Sequence, residues 1–156
     1  MAALIAAARV SARQSGAAAE CKTTDPNGVV AGVRARSQNS YGNAHVSVDF
    51  WPGGTITFRP DGPGFVTRKG ELGMKFLWRR SGTGKLDVSG RRLDGAAPPL
   101  RAQLSPNADA AIEPSYLIFP TPGCWEVTAR LGGREDSRLT FVTRVVKIGD
   151  GPAWRL

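Results

Sequence analysis

Between residues 123 and 131 the chain alternates strictly between apolar and polar side chains, and this stretch limits the possible folds more than any other. The apolar positions are Trp125, Val127, Ala129 and Leu131, and the polar-side positions are Cys124, Glu126, Thr128 and Arg130. Side chains two residues apart share one face of a β-strand, so the stretch predicts a strand that buries an indole. Residues 139–148 follow a glycine-containing turn and are predicted as its antiparallel partner. We expect this pair at the centre of a β-sandwich.

Short apolar runs recur through the rest of the chain, separated by turn signals at intervals of about ten residues. A hairpin is predicted over residues 44–59, with its turn at residues 51–54. Further strands are predicted at residues 72–80, 85–93, 100–104 and 115–119, with the second of these beside the first. No helical period persists, and the 19 glycines and 11 prolines lie mostly singly between the runs. The sequence therefore predicts an all-β, immunoglobulin-like antiparallel sandwich of roughly seven to nine short strands.

The length of 156 residues corresponds to one domain with a substantial core. We divide it into a leader or signal-like segment (1–20), an irregular region (21–43), the sandwich (44–148) and a tail (149–156). The leader ends in three alanines, a small-residue cleavage pattern, but arginines interrupt its apolar run. It is either the remnant of an export signal or an alanine-rich leader, and we favour export. No apolar run reaches about 18 residues, so no transmembrane helix is predicted.

Basic residues dominate the middle of the chain. There are 21 Lys and Arg against 13 Asp and Glu, a formal net charge of +8, and the excess is concentrated in residues 65–101. The candidate contact residues are Lys75, Arg79, Arg80, Arg91 and Arg92. We expect Lys75 and Arg79 on one face of their strand, with the strand of Arg91 beside it, so that the charges form one basic stripe. Such a stripe favours an anionic envelope polymer or another protein as partner, and the alternative is a solvated basic face. The chain contains no specific nucleic-acid motif.

The two cysteines, Cys21 and Cys124, leave two states open. In an oxidising compartment they would form a disulfide that closes a loop of about a hundred residues. Otherwise Cys124 is a small buried apolar side chain and Cys21 a loose thiol. A single histidine, His45, and two distant cysteines provide no metal-chelating spacing, so neither a metal nor another cofactor is predicted.

Four segments together resemble a group of uncharacterised secreted or lipid-anchored bacterial proteins. They are GTITFRPDGPGFV at 54–66, LGMKFLWR at 72–79, the run at 84–102, and LIFPT at 117–121 leading into GCWEVT at 123–128 and LTFV at 139–142. The last pair is the most specific part. The resemblance implies an exported, immunoglobulin-like sandwich that is secreted or associated with the cell envelope. It implies no activity and no site residue.

Catalytic motifs are not found in the sequence. Residues 82–85 read GTGK, which resembles part of a phosphate-binding loop. That motif requires a glycine where this chain has Arg79 and a serine or threonine where it has Leu86, so it is not present. The predicted function is a non-catalytic interaction module. One alternative is a carbohydrate- or small-ligand-binding domain that uses Trp51, since a turn tip cannot easily bury an indole. A second alternative is a hydrolase in which His45 or distant carboxylates meet in space. Those carboxylates are Asp49, Glu71, Asp87, Glu113 and Glu126.

Overall fold

The computed structural model of the protein describes residues 20–105 and 111–154. Within this part the chain forms ten β-strands and two short 3₁₀ turns, at Pro52–Gly54 and Glu135–Ser137. The strands are β1 (Ser40–Gly42), β2 (Val46–Asp49), β3 (Thr55–Phe58), β4 (Phe65–Val66), β5 (Leu72–Arg80), β6 (Leu86–Arg92), β7 (Arg101–Leu104), β8 (Ile112–Phe119), β9 (Gly123–Leu131) and β10 (Leu139–Lys147). The predicted all-β class is confirmed, and the strands beyond the expected number are short pieces such as β1 and β4. None of the described helical turns is long and apolar enough to cross a membrane.

The strands form two sheets that enclose one core. The six-stranded sheet has the order β1-β2-β5-β8-β7, with β4 also paired to β5, and the four-stranded sheet has the order β3-β10-β9-β6. All pairs are antiparallel except β3 with β10. The predicted pairing of β9 with β10 is confirmed, with Trp125 opposite Thr143. The architecture is a β-sandwich.

The predicted hairpin over residues 44–59 is wrong, because β2 and β3 belong to different sheets. The turn at residues 51–54 carries the chain across the sandwich. Its two glycines have positive φ angles, 61° at Gly53 and 63° at Gly54. A Cβ at Gly54 would lie 2.7 Å from the Cβ of Thr23, and the hydroxyl of Thr143 donates a hydrogen bond to the Gly54 carbonyl (2.8 Å). The same residue types suit a hairpin turn, so the local sequence did not distinguish the two connections.

The prediction that residues 85–93 lie beside residues 72–80 is also wrong. β5 pairs with β2, β4 and β8, whereas β6 pairs with β9 in the other sheet. The turn between β5 and β6 therefore crosses the sandwich as well. The outward-facing charges of these two strands therefore lie on opposite outer faces, which changes the interpretation of the basic residues.

The core is built from the inward-facing positions of both sheets, and it includes Trp78 on β5 and Trp125 on β9, both fully buried. Each indole N–H has an acceptor. Trp78 Nε1 donates to the hydroxyl of Ser115 (2.9 Å), and Trp125 Nε1 donates to the carbonyl of Thr121 (3.0 Å). A buried indole without such a partner would lose stability, so these contacts fix the orientation of both rings.

The N-terminal segment is attached to the four-stranded sheet. Of the two states open for the cysteines, the structure shows the disulfide, with a Cys21–Cys124 Cα distance of 5.4 Å. Thr24 donates its N–H to the carbonyl of Val142 (3.0 Å), and the N–H of Val142 donates to the Thr24 hydroxyl (2.9 Å). The residues after Cys21 thus pair with a part of β10 that β3 does not cover, and the disulfide holds them there.

Replacing Cys21 and Cys124 together by serine should lower the free energy of unfolding by about 2–5 kcal/mol, the usual cost of losing a native disulfide. The bond joins residues 103 positions apart, so its loss restores much conformational freedom to the unfolded chain. Urea denaturation followed by tryptophan fluorescence measures the change. The wild type under reducing conditions should unfold at the same urea concentration as the variant, and equal stability of oxidised wild type and variant would contradict the prediction.

Candidate functional site

Two of the five candidate basic residues lie together on the outside of the six-stranded sheet. Lys75 is exposed and Arg79 half-buried, both on the outward face of β5 as predicted. Leu77 lies between them and is 48% exposed. Among residues 20–105 and 111–154, no carboxylate lies within ion-pairing distance of Lys75 or Arg79. Their charge is therefore free to meet another molecule.

The neighbouring strands continue this surface. In the register of β5, β8 and β7, Tyr116 lies between Lys75 and Gln103, and Pro114 and Ile112 lie opposite Leu77 and Arg79. Ile112 is 48% exposed. The exposed carboxylate of Asp49 lies on β2, which pairs with β5 on the side away from β8. We call this surface the open face, and it comprises Lys75, Leu77, Arg79, Gln103, Ile112, Pro114 and Tyr116.

Arg80 is not part of any surface. Its side chain is 1% exposed and points into the sandwich, where Nη1 lies 3.2 Å from Oε2 of buried Glu113 and donates to the carbonyl of Gly84 (2.7 Å). Arg80 shares its strand parity with Trp78, so the alternation of β5 already placed it on the inward face. Burial raises the pKa of Glu113, and the nearby positive charge of Arg80 offsets this only in part.

Arg91 and Arg92 lie on β6, in the four-stranded sheet, and both are neutralised by carboxylates. Arg91 Nε donates to Glu126 (2.8 Å), and Arg92 Nε donates to Asp94 (2.7 Å). Partial burial alone would raise the pKa of Asp94, but the hydrogen bond and charge of Arg92 together with backbone hydrogen bonds, including one from Cys124, outweigh burial, and the pKa is lowered. The prediction of one continuous basic stripe is therefore wrong. Lys75 and Arg79 lie on one outer face and Arg91 lies on the opposite one. Arg80 lies in the interior, and Arg92 is half-buried at the end of β6, opposite Trp125.

The outer face of the four-stranded sheet, which we call the closed face, is largely satisfied by its own contacts. The hydroxyls of Thr128 and Thr140 are hydrogen-bonded (3.0 Å), and Arg130 pairs with Glu135 (3.1 Å). A cavity of about 590 Å³ lies beside the disulfide. Charges of both signs line it, namely Arg92, Arg144 and Lys147 with Glu20 and Asp94. No single charge dominates there.

Trp51 does not form the exposed platform considered from the sequence. It is half-buried and packs against the core at the crossing between the two sheets. Tyr116 on the open face is half-buried as well, whereas Trp154 is 52% exposed. Sequence reasoning did not select either residue as a site candidate. The parity of β8, which directs Leu117 inward, is the signal that would have placed Tyr116 outside.

Most of the carboxylates considered for a hydrolase are held by arginines. Glu71 accepts from Arg101 (2.6 Å), and Glu113 and Glu126 pair as described above. Burial alone would raise the pKa of Glu71, but hydrogen bonds from Arg101 and Thr67 lower it. A carboxylate held ionised in this way is a poor proton donor at neutral pH. His45 Nε2 lies 3.6 Å from Asp136, which is not one of these five carboxylates.

In the described ranges, no three His, Cys, Asp or Glu side chains are grouped so that they could hold a metal ion. No protein-family model matches the chain. A search of curated proteins also finds no significant match. The resemblance to secreted bacterial proteins and the absence of catalysis therefore stay predictions, and the open face is the candidate site that the geometry provides.

Arg80→Ala should destabilise the protein by about 3–5 kcal/mol, because it leaves the Glu113 carboxylate buried without its counter-charge. Arg79→Ala, one residue away but on the outer face, should change stability by no more than about 0.5 kcal/mol. Urea denaturation of both variants measures the contrast. Equal effects of the two substitutions would contradict the assignment of Arg80 to the interior.

The raised pKa of Glu113 predicts a pH dependence that Glu113→Gln should remove. The folded state binds the Glu113 proton more tightly than the unfolded state does, because the pKa of this carboxyl is raised above its ordinary value of 4.5. The wild type should therefore be most stable relative to the variant below that pH, and should lose this advantage as the pH rises through the raised pKa. Unfolding free energies of both proteins across this range test the sign, and a difference that grows with pH would contradict it.

Proposed function

We propose that the protein is an exported, non-catalytic interaction module that binds an anionic polymer of the cell envelope through the open face. The observation that carries this proposal is the pair of cations, Lys75 and Arg79, that flank exposed Leu77 without a carboxylate partner in the described chain. A ligand that pairs with them need not break an existing ion pair. On the four-stranded sheet, Arg91 and Arg92 would first have to be separated from Glu126 and Asp94.

The overall charge supports a polyanionic partner. A net charge of +8 attracts polyanions at long range, and unpaired cations on a flat sheet face provide the local contact. Each cation that neutralises a charge of the polymer releases a condensed counterion, so the affinity should depend steeply on salt. The apolar side chains between the cations add contact area that is insensitive to salt.

Export is supported by the disulfide and by the family resemblance. Disulfides persist in oxidising compartments and are rare in the cytosol, and Cys21–Cys124 joins the N-terminal segment to the central strand pair. The resemblance carried by residues 123–128 and 139–142 is to secreted or lipid-anchored bacterial proteins. Both observations fit a module that functions at the envelope.

The test is the binding of a defined polyanion, poly-L-glutamate, to wild type and to Lys75→Glu/Arg79→Glu at several salt concentrations. The double charge reversal should weaken binding by at least about tenfold at low salt, since it replaces two attractions by two repulsions. Isothermal titration calorimetry or fluorescence anisotropy measures the dissociation constant.

The matched control is Arg144→Glu/Lys147→Glu, which makes the same change of net charge on two exposed residues of β10. It should reduce the affinity much less than the open-face variant. Equal losses in both variants would show that net charge alone attracts the polymer. Affinity that is unchanged by salt would contradict the electrostatic contact.

A further inference from the structure

A line of three aromatic rings crosses one end of the outer side of the six-stranded sheet. Phe65 is fully buried at the centre of this line, and the rings of Tyr116 and Trp154 meet it edge to face. The ring centroids of Phe65 and Tyr116 are 5.3 Å apart at 70°, and those of Phe65 and Trp154 are 5.1 Å apart at 76°. Phe65 is therefore covered by two rings that themselves remain partly open to solvent.

The line is held by the backbone on both sides. Gly73, opposite Phe65 in the register of β4 and β5, leaves the space that the Phe65 ring occupies, and a Cβ at Gly73 would lie 2.1 Å from that ring. The N–H of Val66 donates to the carbonyl of Trp154 (3.2 Å), so the tail is fastened beside β4. Trp154 is thus held beside β4 by its ring and its backbone, and it remains 52% exposed.

Polar groups adjoin the line at Tyr116. The ammonium of Lys75 and the amide of Gln103 lie on either side of Tyr116 in the register of the sheet. Together with Pro114 they line a shallow hollow of about 330 Å³. This volume is at the lower end of the range of ~300–1,000 Å³ for small-molecule sites. The hollow therefore suits a small unit of a longer ligand.

We propose that the open face and this aromatic line bind an acidic polysaccharide. In this arrangement one sugar ring stacks on the exposed indole of Trp154, and another lies in the hollow against Tyr116. Lys75 pairs with a carboxylate or other acidic group of the sugar, and Gln103 hydrogen-bonds a hydroxyl. This inference rests on the proposed function and deepens it by naming the class of polymer.

The chemistry of the surface favours a saccharide over an acidic polypeptide. A pyranose ring has an apolar C–H face and an edge of hydroxyls, which match an aromatic ring with an amide and a cation beside it. The hollow beside Tyr116 is shallow and open to solvent, so it does not enclose an anchoring side chain. Two separated stacking positions on one flat sheet also suit a chain of repeated rings.

The test compares three probes: polygalacturonate, its fully methyl-esterified neutral form, and poly-L-glutamate. Wild type should bind polygalacturonate at least about tenfold more tightly than either of the others, since only this probe combines rings with charge. Trp154→Ala should weaken polygalacturonate binding by about tenfold, the size expected when a tryptophan anchor is truncated, and should leave poly-L-glutamate binding unchanged. Lys75→Ala should weaken binding of both anionic probes.

Two further variants keep the test independent of folding. Trp154→Phe retains a ring over Phe65 and should preserve more affinity than Trp154→Ala. Gln103→Ala removes an exposed side chain of β7 and should weaken polygalacturonate binding alone. Thermal unfolding of each variant shows whether the sandwich remains intact.

The outcomes separate this inference from the proposed function. If poly-L-glutamate binds as tightly as polygalacturonate and Trp154→Ala changes neither, the saccharide inference is overturned while the anionic-polymer function stands. Tighter binding of poly-L-glutamate would assign the face to an acidic protein and also overturn the inference. If neither anionic probe binds, both proposals fail. Selective loss of polygalacturonate binding in Trp154→Ala and Gln103→Ala would establish the saccharide site.

Discussion

The structure depends on two buried indoles that each contact an aromatic ring of the opposite sheet. Trp125 on β9 lies 5.6 Å from Phe119 on β8, and Trp78 on β5 lies 6.3 Å from Phe141 on β10, measured between ring centroids. These contacts bury large apolar areas, and both indole N–H groups keep a hydrogen-bond acceptor. Because the four rings lie on the four central strands, their packing sets how the sheets stack. This packing also determines which residues lie on the outer faces, because successive side chains along a strand point to opposite sides of the sheet.

Sequence alternation predicted the strands well and their partners poorly. The period of two around Trp125 and along β5 is a local property, so the buried and exposed positions of these strands could be assigned residue by residue. Pairing is not local, and a glycine-rich turn serves equally in a hairpin and in a crossing between sheets. The turn at residues 51–54 crosses from one sheet to the other because Gly54 packs against Thr23 and its carbonyl accepts a hydrogen bond from the hydroxyl of Thr143. Both partners are distant from the turn in the sequence. No pattern within the turn itself contains that information.

The candidate site shows the same division between what is local and what is not. The outward direction of Lys75 and Arg79 follows from the alternation of their strand, and the same rule directs Arg80 inward. The carboxylates that neutralise Arg91 and Arg92 could not be predicted from alternation. Glu126, for example, contacts Arg91 only because β6 pairs with β9. The aromatic line is similarly hidden in the sequence, because its rings come from β4, β8 and the C-terminal tail. Net charge could therefore be predicted from composition, but not which cations remain free.

The two outer faces differ in the cost of meeting a charged ligand. On the closed face, a ligand at Arg91 or Arg130 must compete with the carboxylate of Glu126 or Glu135, and the disulfide holds the N-terminal segment at the same sheet. Such an exchange of one surface ion pair for another contributes little to the free energy of binding. Arg144 is exposed there and forms no ion pair with the described residues. On the open face, Lys75 is solvated rather than paired in the described chain, and the apolar groups around it are already exposed. Binding there removes apolar surface from water and adds an ion pair without breaking one. The asymmetry between the faces is thus a physical reason for the proposed recognition to favour the six-stranded sheet.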